Sequence, residues 1–411
     1  MATIFFVGLS VTAALQIKPA CGVYVHIPFC ETKCGYCDFY SVPLQGRNTG
    51  LPVERVCREL RARVLESGHR VRTIFFGGGT PTLLPVAQLD ELFRAVAETA
   101  PPETLDEFTV EANPATVDGQ KAALLVRSGV TRVSMGAQSF FPAELAALER
   151  LHSPDDIPPS VATLRANGVR QINVDLIFGI PGQSMASWAE SLRRAIGLGV
   201  DHLACYGLTY EPNTRLTGQR DRGLITPCDE QIEADMYLLA IDLLVAAGFE
   251  QYEISNFAKP GCRCRHNLIY WRNEPYIGVG PSAAGCVHNR RYKNVPDVAR
   301  YVRWMDGQGH AELESETLDS GALALEMILM QLRLNEGLCL ADFERRTGQN
   351  LRLQTSGCLD RLVREGLLNV SDTHVALTRA GRLVANTVMA ELAAALDTSS
   401  SVSTAEQIRA G

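Results

Sequence analysis

The chain has 411 residues, more than one hydrophobic core usually supports, so a large domain and a smaller one are expected. Its 46% apolar and 21% charged residues exclude a disordered chain, and a net charge of −7 argues against a nucleic-acid surface. The twelve cysteines are too thinly spread for a disulfide scaffold and read as reduced thiols of a cytoplasmic protein.

The opening run, Ile4 to Val11, is apolar but lacks a basic flank and is shorter than a bilayer span; residues 1–20 are read as an ill-ordered extension. From residue 21 to about 210, short apolar runs alternate with amphipathic segments. Strands are expected at Val23–Ile27, Thr73–Phe76, Glu107–Glu111, Arg132–Met135, Gln171–Phe178 and His202–Gly207. Helical patterns separate them at Val53–Leu65, Val86–Ala97, Asp118–Arg127, Pro142–Leu148, Pro158–Asn167 and Ser184–Leu198, several with a capping serine or a terminal glycine. Repeated strand–helix alternation without reversal predicts a parallel sheet curved into a partial or full β/α barrel.

In such a barrel the chemistry sits where strands end. The motifs fall there. Cys30, Cys34 and Cys37 (C-x3-C-x2-C) follow the first strand, and Gly77-Gly78-Gly79-Thr80-Pro81-Thr82 follows the second. Glu111-Ala112-Asn113-Pro114 ends the third and Gly136-Ala137-Gln138-Ser139 the fourth, while Asp175 lies in the fifth, before Gly179-Ile180-Pro181-Gly182.

A long helix is expected at Pro227–Ala247, then Phe249–Ile254, then an irregular stretch, Ser255–Gly285, holding Cys262, Cys264, His266, Tyr270 and Trp271. The barrel unit is taken as 21–310. From about Thr317 the pattern turns helical, with a small hairpin at Leu367–Val370 and His374–Leu377, which makes 317–396 a winged-helix-like unit. Its acidic residues offset its basic ones, so it is read as a cover over the barrel mouth and not as a DNA binder. Residues 397–411 form a polar, disordered tail.

Three thiols in eight residues are seldom there for packing. Their spacing admits a cubane iron–sulfur cluster with one iron left open, a zinc site short of a fourth ligand, or a redox pair that leaves Cys30 unexplained. The barrel-end motifs add a resemblance. A C-x3-C-x2-C loop followed by G-G-G-T-P resembles the radical S-adenosylmethionine superfamily. His26-Ile27-Pro28-Phe29-Cys30, Ser139-Phe140 and Asp175 to Gln183 narrow it to oxygen-independent coproporphyrinogen III oxidase and the related HemW-type heme chaperones. The oxidase carries a further cysteine where this chain has Phe39. The chaperones carry the motif H-N-x-x-Y-W, found here as His266-Asn267-Leu268-Ile269-Tyr270-Trp271. The chaperone resemblance is the closer one.

The resemblance implies a radical S-adenosylmethionine type of partial (β/α) barrel with a mostly helical C-terminal unit. It implies that Cys30, Cys34 and Cys37 hold a 4Fe–4S cluster whose open iron takes S-adenosylmethionine. Gly78, Gly79, Thr80, Glu111, Gln138, Arg150 and Asp175 match cofactor-contacting positions, Tyr24 and Tyr36 flank the cluster, and Thr209 and Ala284 align with adenine-side contacts. Heme is the implied cargo, with His266, Asn267, Tyr270 and Trp271 as its candidate contacts and imidazole as an iron ligand. The implied partners are heme-accepting proteins, membrane-associated ones among them. The residues do not choose between cleavage of the cofactor and binding alone.

Overall fold

The computed structural model describes residues 18–396, so most of the expected extension and all of the expected tail lie outside the described residues. The main sheet is built from β1 (Ala20–Ile27), β2 (Arg70–Gly78), β3 (Glu107–Ala112), β4 (Arg132–Gln138), β5 (Gln171–Phe178) and β6 (His202–Gly207). Helices α1 (Gly50–Ser67), α2 (Val86–Thr99), α3 (Gly119–Arg127), α4 (Pro142–Ala147), α5 (Ile157–Ala166) and α6 (Met185–Gly197) fill the crossovers. Each start has a local reason. Asp118 and Ser184 cap α3 and α6 through their side chains, and Pro142 opens α4 where its missing N–H costs nothing.

The chain then adds α7 (Arg215–Asp221), α8 (Glu230–Ala246), β7 (Glu250–Gln251), β8 (Asn256–Ala258), α9 (Arg265–Trp271) and β9 (Tyr276–Val279). After these come β10 (Ala284–Val287), β11 (Arg290–Asn294), α10 (Val298–Gly307) and β12 (Glu312–Thr317). The sheet runs β12-β11-β10-β9-β1-β2-β3-β4-β5-β6-β8-β7, parallel from β9 to β6 and antiparallel at both flanks. Its two edge strands do not pair, so among the described residues the barrel is partial.

The stretch expected to be irregular, Ser255–Gly285, contains β8, α9 and β9, short elements joined by turns. A seven-residue helix and three- or four-residue strands are too short to show a period. The antiparallel flank β10–β12 has no counterpart in the expected elements, because β12 is almost wholly exposed and carries little hydrophobic alternation.

One core, from Cys21 to Ala311, packs the sheet against its helices. A second gathers Leu323, Met327, Phe343, Leu359, Leu362, Val375, Val388 and Leu392. It joins α11 (Ser320–Gln331), α12 (Leu340–Thr347), α13 (Leu351–Gln354), α14 (Ser356–Arg364), α15 (Arg379–Leu383) and helical residues 385–396 around a three-stranded sheet. That sheet is β13 (Leu338–Cys339), β15 (His374–Leu377) and β14 (Leu368–Val370), in that order. No described helix is long and apolar enough to cross a membrane.

Candidate functional site

The cysteine loop leaves β1 and returns beside it. Phe29–Cys30 pairs with Val42–Pro43, and the N–H groups of Val42 and Leu44 donate to Pro28 O and Cys30 O at 2.7 Å each. Cys37 N donates to Cys34 O at 3.3 Å, closing the turn that brings those two thiols together. The glycine-rich segment lies against the same strand end. Gly79 N donates to Ile27 O (2.8 Å) and Thr80 N to Phe29 O (2.7 Å). Gly78 has φ +103°, and a Cβ there would lie 2.3 Å from the His26 ring, so this position admits only glycine.

These elements surround a cavity of about 700 Å³. It brings together Cys30, Cys34, Cys37, Tyr36, Gly78, Gly79, Thr80, Glu111, Gln138, Arg150, Asp175, Thr209 and Asn267 from positions scattered over the barrel. Gln138 enters it because the β4–β5 register slips between Gly136 and Gln138, and Gln138 sits at φ +65°. A bulge of this kind re-aims a side chain next to a site. Phe39 stands in the lining, 68% exposed.

The polar groups are tightly linked. Arg150 Nη2 donates to Asn113 Oδ1 and Gly136 O, both at 2.7 Å, and Nη1 lies 3.5 Å from Cys34 Sγ. Asn113 Nδ2 in turn donates to Thr80 Oγ1 at 2.9 Å. Glu111 Oε2 accepts from Gly78 N at 3.1 Å, and Asp175 accepts from Asn173 Nδ2 at 2.7 Å. Burial, reinforced by the nearby Asp175 charge, pushes Glu111 up to about 8; burial pushes Asp175 up to about 6.

Other expected residues fall elsewhere. Tyr24 and Ala284 do not line the cavity; Tyr24 Oη bonds His26 Nδ1 at 3.1 Å inside the barrel wall. His266 is fully buried, its Nδ1 on Thr73 Oγ1 and its Nε2 on Tyr270 Oη, both at 2.8 Å. As placed, neither nitrogen is free for iron, and neither Tyr270 nor Trp271 lines the cavity. His266→Ala is therefore expected to leave two buried hydroxyls unpaired and to cost about 2–4 kcal/mol in a urea unfolding curve. The C-terminal unit does not cover the mouth: no residue of 317–396 lines the cavity. It grips α9, with Arg346 donating to Arg272 O and Asn273 O at 2.9 and 2.7 Å.

Sequence reading missed the lower half of the cavity, lined by Arg132, Ser134, Asn173, His202, Tyr206, Asn256 and Cys264. A signal was present. Strands of a fully covered parallel sheet are usually continuous apolar runs. Here Arg132-Ser134-Gly136, Glu107-Thr109-Glu111 and Asn173-Asp175 put polar or small residues on alternate positions, hence on one face.

The donor set fits a cluster with a bound cofactor. Burial raises the Cys30 thiol and pushes Cys37 up to about 11, and bound iron would hold both as thiolates. Arg150 Nε is buried without a hydrogen-bond partner, while its Nη1 lies 3.5 Å from Cys34 Sγ.

Comparison with known proteins agrees with this geometry. The Radical SAM superfamily matches residues 24–195 and the HemN C-terminal domain residues 318–384. The chain is 34% identical to heme chaperone HemW of Bacillus subtilis (89% of this chain, 97% of that one) and 35% identical to that of Escherichia coli (90% and 97%). Its fold is similar to that of coproporphyrinogen III oxidase HemN from Escherichia coli, with TM-score 0.78, 23% identity, and coverage of 93% and 90%. With a third of its residues shared along nearly the full length of those relatives, the chain belongs to the HemW family of radical S-adenosylmethionine proteins.

Proposed function

We propose that this protein is a heme chaperone. In this reading Cys30, Cys34 and Cys37 hold a 4Fe–4S cluster, S-adenosylmethionine lies beside it, and heme is bound and passed to acceptor proteins, membrane-associated ones included. The observation that carries it is the convergence of three thiols, a glycine cradle, Glu111, Gln138, Arg150 and Asp175 on one cavity, in a chain whose relatives are HemW heme chaperones. The twelve unpaired cysteines support a reducing, cytoplasmic setting.

When bound, the cluster supplies one-electron chemistry toward the cofactor. The chain's own groups bind and orient. Arg150, anchored on Asn113 and Gly136, lines the site and keeps an unpartnered Nε. Glu111 and Asp175 offer carboxylates to cationic or hydroxyl groups of the ligand. Decarboxylation of coproporphyrinogen III is the rival, and Phe39 in place of the oxidase's additional cysteine counts against it.

Anaerobic reconstitution tests both. Cys30→Ala, Cys34→Ala and Cys37→Ala are each expected to abolish the visible absorbance of the cluster. The intact protein is expected to bind hemin and to yield no protoporphyrinogen from coproporphyrinogen III, S-adenosylmethionine and reductant. Formation of protoporphyrinogen would overturn the chaperone reading.

A further inference from the structure

The floor of the cavity holds a charged group that the cofactor positions leave unused. Arg132, at the start of β4, is 1% exposed and lines the cavity. Its Nε donates to Glu107 Oε2 at 3.2 Å and its Nη2 to Cys262 O at 2.7 Å. Nη1 is buried and has no partner. A buried donor left unmade costs about 1–3 kcal/mol and calls for a cause.

Glu107 cannot supply that partner. It already accepts from Arg132 Nε, from Arg265 N at 3.0 Å, from His266 N at 3.1 Å and from Cys264 Sγ at 3.3 Å. The same carboxylate thus caps α9 and fixes Arg132, leaving the buried Nη1 without an acceptor. None of the other acidic residues lining the cavity, Asp38, Glu111, Asp175 and Glu211, is hydrogen-bonded to Arg132, whose bonds go to Glu107 and Cys262 O. His202 is closed off by Asn173 and Tyr252. What the floor lacks is an oxygen acceptor.

We propose that Arg132 anchors a carboxylate of the bound ligand at the cavity floor. On the heme reading above, on which this rests, that carboxylate is a porphyrin propionate. The cavity supplies the matching apolar surface in Phe75, Ile177, Leu208 and Tyr206, the last 40% exposed. Asn267, the second residue of the H-N-x-x-Y-W motif, reaches the same cavity from α9. The motif then serves heme by holding Glu107 and Arg132 in place, with His266 as a buried strut.

Hemin and hemin dimethyl ester, titrated into the intact protein by Soret absorbance, separate the possibilities. Hemin is expected to bind at least about tenfold more tightly than the ester, the equivalent of about 1.4 kcal/mol. In Arg132→Gln the two affinities are expected to become equal. The ester comparison on the unaltered protein needs no variant, so a misfolded Arg132→Gln would not shield the proposal. Equal binding of acid and ester would mean that water alone fills the floor, and it overturns the subsite while leaving heme binding intact. A preference for the acid that persists in a folded Arg132→Gln overturns it too, placing the propionates elsewhere. Failure of the intact protein to bind either compound sinks the heme reading and the subsite with it.

Discussion

Gly79→Ala is expected to cost about 3 kcal/mol or more and to prevent cluster assembly, although the residue ligates nothing. A Cβ at Gly79 would stand 2.5 Å from Phe29 O and 2.8 Å from Ile27 O. Both obstacles are backbone, and both are tied to this segment through Gly79 N and Thr80 N. Relief requires the two segments to part, and Cys30 is the next residue along the displaced one. Overpacking of this kind usually costs 1–3 kcal/mol, and immovable backbone puts the case at the upper end. The measurement is the urea midpoint of the apoprotein together with iron content after reconstitution. Gly119→Ala, at the first turn of α3 with open space around it, is the control and should be neutral or slightly stabilising. Normal iron loading in Gly79→Ala would show that the strand-end contact does not position the cysteine loop.

Binding of S-adenosylmethionine is expected to strengthen as pH rises from 6 to 8, and Glu111→Gln should flatten that dependence. Burial and the neighbouring Asp175 raise Glu111 from 4.5 to about 8, so at pH 6 it is protonated and has no charge to offer a cationic ligand. A sulfonium-bearing ligand favours the ionised form and releases a proton on binding. The limit for one coupled proton is about tenfold in affinity per pH unit below the folded pKa. The stability sign follows from the same shift. A carboxyl that binds its proton more tightly when folded contributes stability that is full below about 4.5 and is lost as pH climbs toward 8. Glu111→Gln should therefore remove a decline on the order of 3–5 kcal/mol from the apoprotein's stability between those limits. Calorimetric titration of the cofactor and urea curves across pH check the two halves. A pH-independent affinity in the unaltered protein would show that Glu111 does not face the ligand's charge.

Much of the barrel was legible because its period is strong. All six expected strands, from Val23–Ile27 to His202–Gly207, lie within observed ones, and the six crossover helices start and stop within a few residues of their capping signals. Legibility failed where elements are short. Nothing in Ser255–Gly285 runs long enough for a period, and β10–β12 are a flank whose outward residues are polar on both sides. The C-terminal unit was recognisable as helices with a wing, but its position was not. Arg346 and Glu336, which tie it to the end of α9, look like any surface charges until the carbonyls just past that helix and Arg272 appear opposite them.

The site divides along the same line. Local sequence determined the cysteine loop, the glycine cradle and the strand-end polar residues, since these are set by spacing and by the ends of strands. Tertiary structure decided which of them share a cavity. It brought in Gln138 through a bulge and Arg150 through Asn113, and it left Tyr24 and Ala284 out. It also placed His266, the candidate heme ligand, in a buried bond pair between Thr73 and Tyr270, which come from a strand and a helix turn that composition does not join. And it exposed Arg132, whose meaning depends on one unpaired nitrogen. A residue's chemistry is written in its type, but its free valences are known only when every neighbour has been placed.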